Sequence, residues 1–416
     1  MKIHFVFLSL VTIGSLLACN HRTAPTAPAN VTTEEVPVPS GAPDTTLIRG
    51  NNQFALELYS YIRSDEQNVF FSPYSISAAL AMTYAGARGE SEKQMSKVLH
   101  FEADQKTFHP KYHGLLQYIE GLNQGERLEL STANAIFAQK EFTFLDSYFD
   151  LVKSNYGAGL QMLDFKNELE KSRLTINEWV ATRTKNRIQN LIVEGMLTEM
   201  ARLVLVNAIY FNATWDVSFD EKETVKKMFY VTPKTPVEAP FMHKEGAFKY
   251  LKDEQVQIAE IPYADSTLSM LVLLPDDAAS MVKLEQELSI GKYQAWIAQL
   301  LPAKINLLLP RFKTTSEFEL SDVLKKMGMP HPFSLSADLS GMTGKKDLMI
   351  DKVIHKAFVD VNEKGTEAAA ATAVIIRVKS AGMIPEFNVN RPFIFIIKEN
   401  AHQNILFMGK INNPVK

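Results

Sequence analysis

The 416-residue sequence holds one cysteine, Cys19. That excludes a disulfide framework, a cysteine-based zinc site and a cysteine nucleophile in the folded body. An excess of either charge is missing as well, with 44 Lys plus Arg against 47 Asp plus Glu. Such a balance gives no global basic field, so no nucleic-acid partner is expected. Enzyme motifs are equally scarce. Gly157-Ala158-Gly159 lacks the third glycine of a dinucleotide loop, Gly341–Lys346 lacks Walker spacing, and no Gly-x-Ser-x-Gly elbow occurs. His109 and His113 stand four apart, but Pro110 between them argues against a shared helical face. They read as surface histidines rather than a metal pair. No enzyme activity, metal or cofactor is expected.

What is present starts with an export address. Lys2 precedes an uncharged run over residues 5–18 that ends Leu16-Leu17-Ala18-Cys19. The run is short of the roughly 20 residues of a membrane-spanning helix, so residues 1–18 read as a secretory signal peptide. Its Leu-x-Ala-Cys ending resembles the bacterial lipobox, which implies a lipidated Cys19 as the first residue of the mature chain. Residues 19–46 are rich in Thr, Ala and Pro and form a tether with little to bury. The expected location is the bacterial cell envelope, exported and outer-membrane or surface exposed, touching membrane only through the lipid.

From Leu47 to Lys416 no second linker, repeat or low-complexity tract appears, so residues 47–416 read as one large domain. Helical patterns come early, over Gln53–Arg63, Ser75–Ala85, Ser91–Leu99 and Leu174–Ile192. Strand patterns follow at Leu203–Phe211, Leu268–Leu274, Ile305–Leu309, Ala357–Val361, Phe393–Ile397 and Ile405–Met408. Helices first and strands later predict an α+β fold. The acidic balance speaks against a heparin-type activator and leaves room only for a local basic patch, for example Arg183, Lys185 and Arg187 on one amphipathic helix.

The informative segment is 363–384, EKGTEAAAATAVIIRVKSAGMI. Its alanines favour helix, but Val374–Val378 favours strand. Alternation resolves the conflict: Thr366, Ala368, Ala370, Thr372, Val374, Ile376 and Val378 are all small or apolar and uncharged, as one buried face of a strand requires. Yet the segment ends in Arg377-Val378-Lys379-Ser380-Ala381-Gly382, two basic side chains beside small residues, attractive to a trypsin-type protease on an exposed loop. A loop poised to become a strand satisfies both. Gly365 to Arg377 would span about 43 Å at about 3.3 Å per residue. At about 1 kcal/mol for each new hydrogen bond, the gain is on the order of 10 kcal/mol, comparable with a domain's net stability.

The stretch Val361–Ala370 (VNEKGTEAAA) resembles the hinge of the serpins, the serine protease inhibitor family. So do Asn68–Ser77, Val206–Phe211 followed by Trp215, Ala337–Met342, Ile354–Ala357, and Arg391-Pro392-Phe393 with Leu406–Lys410, all in family order. The resemblance implies a single serpin-type domain, with helices packed around a large central β-sheet plus smaller sheets and an exposed reactive loop over about 363–388. It implies a suicide substrate: a target serine protease attacks the loop, forms a covalent acyl complex, and is trapped when the loop inserts as a strand. Counting seventeen positions from Glu363 gives Lys379–Ser380 as the reactive bond, suited to trypsin-like enzymes. The loop is about two residues longer than usual, so Arg377–Val378 is a second candidate, and Ile376, Val378 or Ala381 offer elastase-type bonds. The hinge comprises Glu363, Gly365, Thr366, Glu367, Ala368, Ala369 and Ala370. Ser72, Ser75, Asn207 and His355 match the family's shutter, and Trp215 its breach. A monomer is expected. The alternative is a non-inhibitory binding or chaperone protein of the same fold, which proline or bulky charge at inward hinge positions would favour; none is present.

Metabolic labelling with a fatty acid is expected to mark the wild-type chain and not Cys19→Ala. Equal labelling of both would remove the lipoprotein assignment.

Overall fold

The computed structural model describes residues 42–157, 159–366 and 384–416. The signal peptide, Cys19 and most of the tether lie outside the described residues, as does 367–383. The first helix begins slightly earlier than composition suggests. Asp44 caps the helix Thr45–Ile62 by accepting from the main-chain N–H of Thr46 and Leu47. Among the described residues no helix is long and apolar enough to cross a membrane.

Two sheets carry the domain. A six-stranded sheet runs Phe312–Glu319, Lys352–Asn362, Gly365–Thr366, Leu203–Thr214, Leu128–Gln139, Leu160–Leu163. A nine-stranded sheet runs Val69–Phe71, Ile405–Ile411, Phe393–Glu399, Leu268–Pro275, Val256–Pro262, Thr235–Lys252, Leu301–Pro310, Glu386–Asn388, with Val225–Thr232 paired to Thr235–Lys252. The expected α+β fold is thus observed. Leu203–Thr214 lacks simple polar alternation because both of its faces are covered. Leu203, Leu205, Ile209 and Phe211 join the core that includes the helix Pro73–Tyr84, while Val204, Val206 and Ala208 pack in a second cluster with Ile176 and Val180 of the helix Leu169–Arg183. Pro73–Tyr84 is buried all round, as a helix in the middle of a core must be. Ser72 caps it through its hydroxyl, which accepts from Ser75 N at 3.2 Å, and Pro73 occupies the first turn.

Two sequence expectations are corrected. The helix Leu169–Arg183 stops short of Ile192 because Lys185 and Asn186 adopt positive φ of 50° and 61°. Arg183, Lys185 and Arg187 therefore do not share a helix face; Lys185 pairs with Glu129 at 2.7 Å. The second correction concerns the histidines. Gln105–Glu120 is a continuous helix through Pro110, which costs it the one hydrogen bond that residue 110 would donate to the Lys106 carbonyl. His109 and His113 share a face after all, turned to the helix Asp146–Tyr156. His109 Nδ1 hydrogen-bonds Tyr156 Oη at 2.6 Å, and His113 Nδ1 donates to Asn155 O at 2.9 Å. His109 is 1% exposed, a packing residue and not a surface one. Among the described residues no group of three metal-ligating side chains occurs.

Burial, helped by the nearby Arg88 charge, pushes the His109 imidazole down to about 4. The folded state then holds this ring neutral while the unfolded chain takes up a proton below about 6.5. Stability from this site is full above pH 6.5 and falls by about 1.4 kcal/mol per pH unit as pH drops toward 4. His109→Gln should flatten the pH dependence of the unfolding free energy, read from urea melts, by that amount between pH 6.5 and 4. An unchanged slope would contradict a neutral, buried His109.

Candidate functional site

The strand Lys352–Asn362 ends in a two-residue turn, Glu363-Lys364, and returns as Gly365–Thr366. In this hairpin Val361 faces Thr366 and Asn362 faces Gly365. The returning residues also pair on their other side, Gly365 with Thr214 and Thr366 with Ala213. Further down, the two flanking strands pair with each other directly and in parallel, Lys352–Phe358 against Val204–Tyr210. The sheet is therefore forked. Its upper end holds the start of an inserted strand, and its lower end is a closed seam.

Each residue at the fork has a specific anchor. Gly365 has φ of +153°, and a Cβ there would overlap Ala213 O, so only glycine passes between the strands. Thr366 is fully buried, and its hydroxyl shares a 2.7 Å hydrogen bond with Tyr263 Oη. The Tyr263 ring stacks on Trp215 at 4.5 Å. Trp215 holds the turn by donating from Nε1 to Asn362 O and from its main-chain N to Lys364 O, both at 2.9 Å. Glu363 is buried, its carboxylate paired with Arg311 and accepting from the Thr224 hydroxyl, while Phe219 N donates to its carbonyl at 2.8 Å. A buried carboxylate without such partners would be costly.

The seam has its own lock. Ser72 N donates to His355 Nε2 at 3.1 Å, which assigns the ring proton to Nδ1, and Nδ1 donates to Asn207 Oδ1. The Asn207 amide donates to Ser75 Oγ and to Asn134 Oδ1, and Ser75 Oγ donates to Asn134 Oδ1 at 3.2 Å. Ser72 Oγ donates to Leu406 O at 2.7 Å, tying the helix cap to the other sheet. Burial drives the His355 imidazole down to about 3, so the ring is neutral and can accept and donate as described. His355, Asn207 and Asn134 are register partners across three neighbouring strands. The His355–Asn207 bond thus crosses the seam itself, and parting the strands must break it.

Of the residues singled out in the sequence, Ser72, Ser75, Asn207 and His355 are brought together at the seam. Glu363, Gly365, Thr366 and Trp215 form a separate group at the fork. Glu367, Ala368, Ala369, Ala370 and the candidate bonds at Ile376, Arg377, Val378, Lys379, Ser380 and Ala381 lie outside the described residues. Sequence reasoning missed Asn134, Tyr263, Arg311 and Thr224. Asn134 sits in a strand that went unread, and a polar residue amid the apolar run Ala133–Phe137 was its only mark.

Comparison with known proteins agrees with this geometry. The family model described as serpin (serine protease inhibitor) matches residues 49–414. The chain is 37% identical to human Serpin B3, covering 89% of this chain and all of that one. It is 39% identical to the bovine leukocyte elastase inhibitor, over 88% and 99% respectively. Among solved structures, uncleaved ovalbumin superposes with a TM-score of 0.81 at 29% identity, covering 89% of this chain and all of that chain. Human thyroxine-binding globulin with its hormone gives 0.79 at 31% identity, covering 88% of this chain and 98% of that one. The chain belongs to the serpin family.

Proposed function

We propose that this serpin is a suicide inhibitor of serine proteases, trypsin-like enzymes first, with neighbouring bonds open to elastase-like ones. The observation that carries the reading is the hinge itself: Gly365 and Thr366 already stand as strand residues between Val361 and Ala213. Continuing their register by two-residue steps sets Ala368 opposite Phe211 and Val359, and Ala370 opposite Ile209 and Ala357. These are core-facing positions on both flanking strands, and small side chains suit them. The same register sets Thr372 opposite Asn207 and His355. Its hydroxyl is then available to accept and donate where their mutual hydrogen bond is lost. The seam's seven parallel register pairs would be exchanged for antiparallel pairing on both sides of the new strand.

In this reading the protease serine attacks the Lys379 carbonyl, leaving an acyl ester on Lys379 and a new amino terminus at Ser380. Insertion then draws Lys379 toward the far end of the sheet before water can deacylate the enzyme. No cofactor takes part, and the chain itself carries no catalytic role. The family's elastase inhibitors, to which it is similar, support protease targets as partners. We also assign the protein, on its first 46 residues, to an exported lipoprotein of the bacterial cell envelope anchored through Cys19.

Mixing with trypsin should give a covalent complex that survives boiling in detergent, plus a released peptide whose mass fixes its start at Ser380. Thr366→Arg places a charge against Tyr263 in the core. It should turn the protein into a plain substrate, with complex formation falling at least tenfold while cleavage continues. Undiminished complex formation by Thr366→Arg would overturn the inward assignment, and nicking of the wild type without complex would overturn inhibition.

A further inference from the structure

The seam is held below its last strand pair by a side chain. Its lowest register pair is Lys352 with Val204. Just beneath, Asp351 engages both main-chain groups of Leu203. Its own N–H donates to Leu203 O at 3.1 Å, and its side-chain Oδ2 accepts from Leu203 N at 2.9 Å. The same Oδ2 accepts from Arg202 N at 2.7 Å. A carboxylate therefore stands in for a main-chain rung at this level of the sheet.

The two partners are anchored to opposite sides of the seam. Ile350 N, next to Asp351, donates to Pro332 O at 2.9 Å, while Arg202 O, next to Leu203, accepts from Gln139 N at 3.0 Å. The basic side chains beside the carboxylate are engaged elsewhere. The Arg202 guanidinium donates to the Glu199 and Ala201 carbonyls, and Lys352 Nζ lies 3.5 Å from Glu319. Asp351 is partly buried, and burial raises its carboxyl above the ordinary value against the pull of the two N–H groups. Such a group is costly to strip of its hydrogen bonds, so the contact is a firm one.

The register at the fork says what this contact competes with. Trp215 N donates to Lys364 O at 2.9 Å, in the same antiparallel register that sets Thr366 opposite Ala213. Hydrogen-bonded pairs recur at every second residue of such a ladder. Continued by two-residue steps, that register sets Ile376 opposite Leu203 as another such pair. An inserted strand would then need the N–H and the C=O of Leu203, the two groups that Asp351 holds. We infer that Asp351 is a positioning residue for strand insertion: it occupies the last rung of the closed seam, and its release lets the strand enter to full length. The inference rests on the insertion reading above. A group that binds Leu203 only in the closed sheet must oppose any strand that takes its place. A strand that stops at Val374 would face Leu205 at its end and leave the contact intact.

The test uses the intact full chain, without protease, and two acetylated peptides of its own sequence, 366–374 and 366–378. Annealing is followed by native electrophoresis. Asp351→Ala should speed annealing of the longer peptide about tenfold and leave the shorter one unchanged. Asp351→Ser, whose oxygen has less reach, should act in the same direction. Asp351→Asn keeps an oxygen that accepts from both N–H groups and should stay close to the wild type. Equal acceleration of both peptides would mark a general loosening of the sheet and overturn the assignment to Leu203. Wild-type rates for both peptides in Asp351→Ala and Asp351→Ser would overturn it too. Failure of either peptide to enter any of the four proteins would instead overturn strand insertion itself, and this inference with it.

Discussion

The bond between His355 and Asn207 links the two parallel strands of the seam, Lys352–Asn362 and Leu203–Thr214, side chain to side chain. Around it the molecule is built from two halves. One comprises Phe312–Glu319 and Lys352–Asn362, joined to the nine-stranded sheet. The other comprises Leu203–Thr214, Leu128–Gln139 and Leu160–Leu163. A neutral imidazole is essential to the junction, because the ring must accept from Ser72 N while donating to Asn207 Oδ1. Full burial secures that state. A hydrogen-bonded ring of Ser75, Asn134 and Asn207 satisfies the remaining polar atoms, and this lets a polar cluster sit in an apolar core without large cost.

The fork above the seam works by a different logic. There the chain is held by shape and stacking: a glycine that clears Ala213 O, a threonine against Tyr263, and Trp215 clamped to the turn carbonyls. Glu363 adds a buried charge whose pairing with Arg311 ties the turn to the end of the strand Leu301–Pro310. Seam and fork sit at different heights on the same two strands. A strand entering at the fork would therefore travel straight into the polar lock, and the alternation of small residues after Thr366 carries a single hydroxyl at the matching height.

The fold was readable where periodicity was strong. Leu203–Thr214 and Phe393–Glu399 announce themselves as buried strands, and Ser72-Pro73 marks a helix start that the structure reproduces. Leu128–Gln139 was hidden because its first half, with Glu129, Ser131 and Thr132, is polar and part-exposed and shows no clean period of two. Gln105–Glu120 was hidden by Pro110, which removes a hydrogen bond from the second turn and is outweighed by the packing of Phe108, Tyr112, Leu115 and Ile119. Leu169–Arg183 was overextended because the polar residues after it have no helix-breaking composition; only their left-handed backbone ends the helix.

By itself the sequence determined the family, the period-two character of the segment after the hinge, and the residue types that meet at the seam. Local pattern carries such information because side-chain size, charge and alternation are properties of neighbours along the chain. The tertiary structure decided which hydrogen bond spans the seam, that the hinge begins between Ala213 and Val361, and that Asn134 and Tyr263 complete the two clusters. Those facts depend on register between strands more than a hundred residues apart, and a register is fixed only when the whole sheet closes.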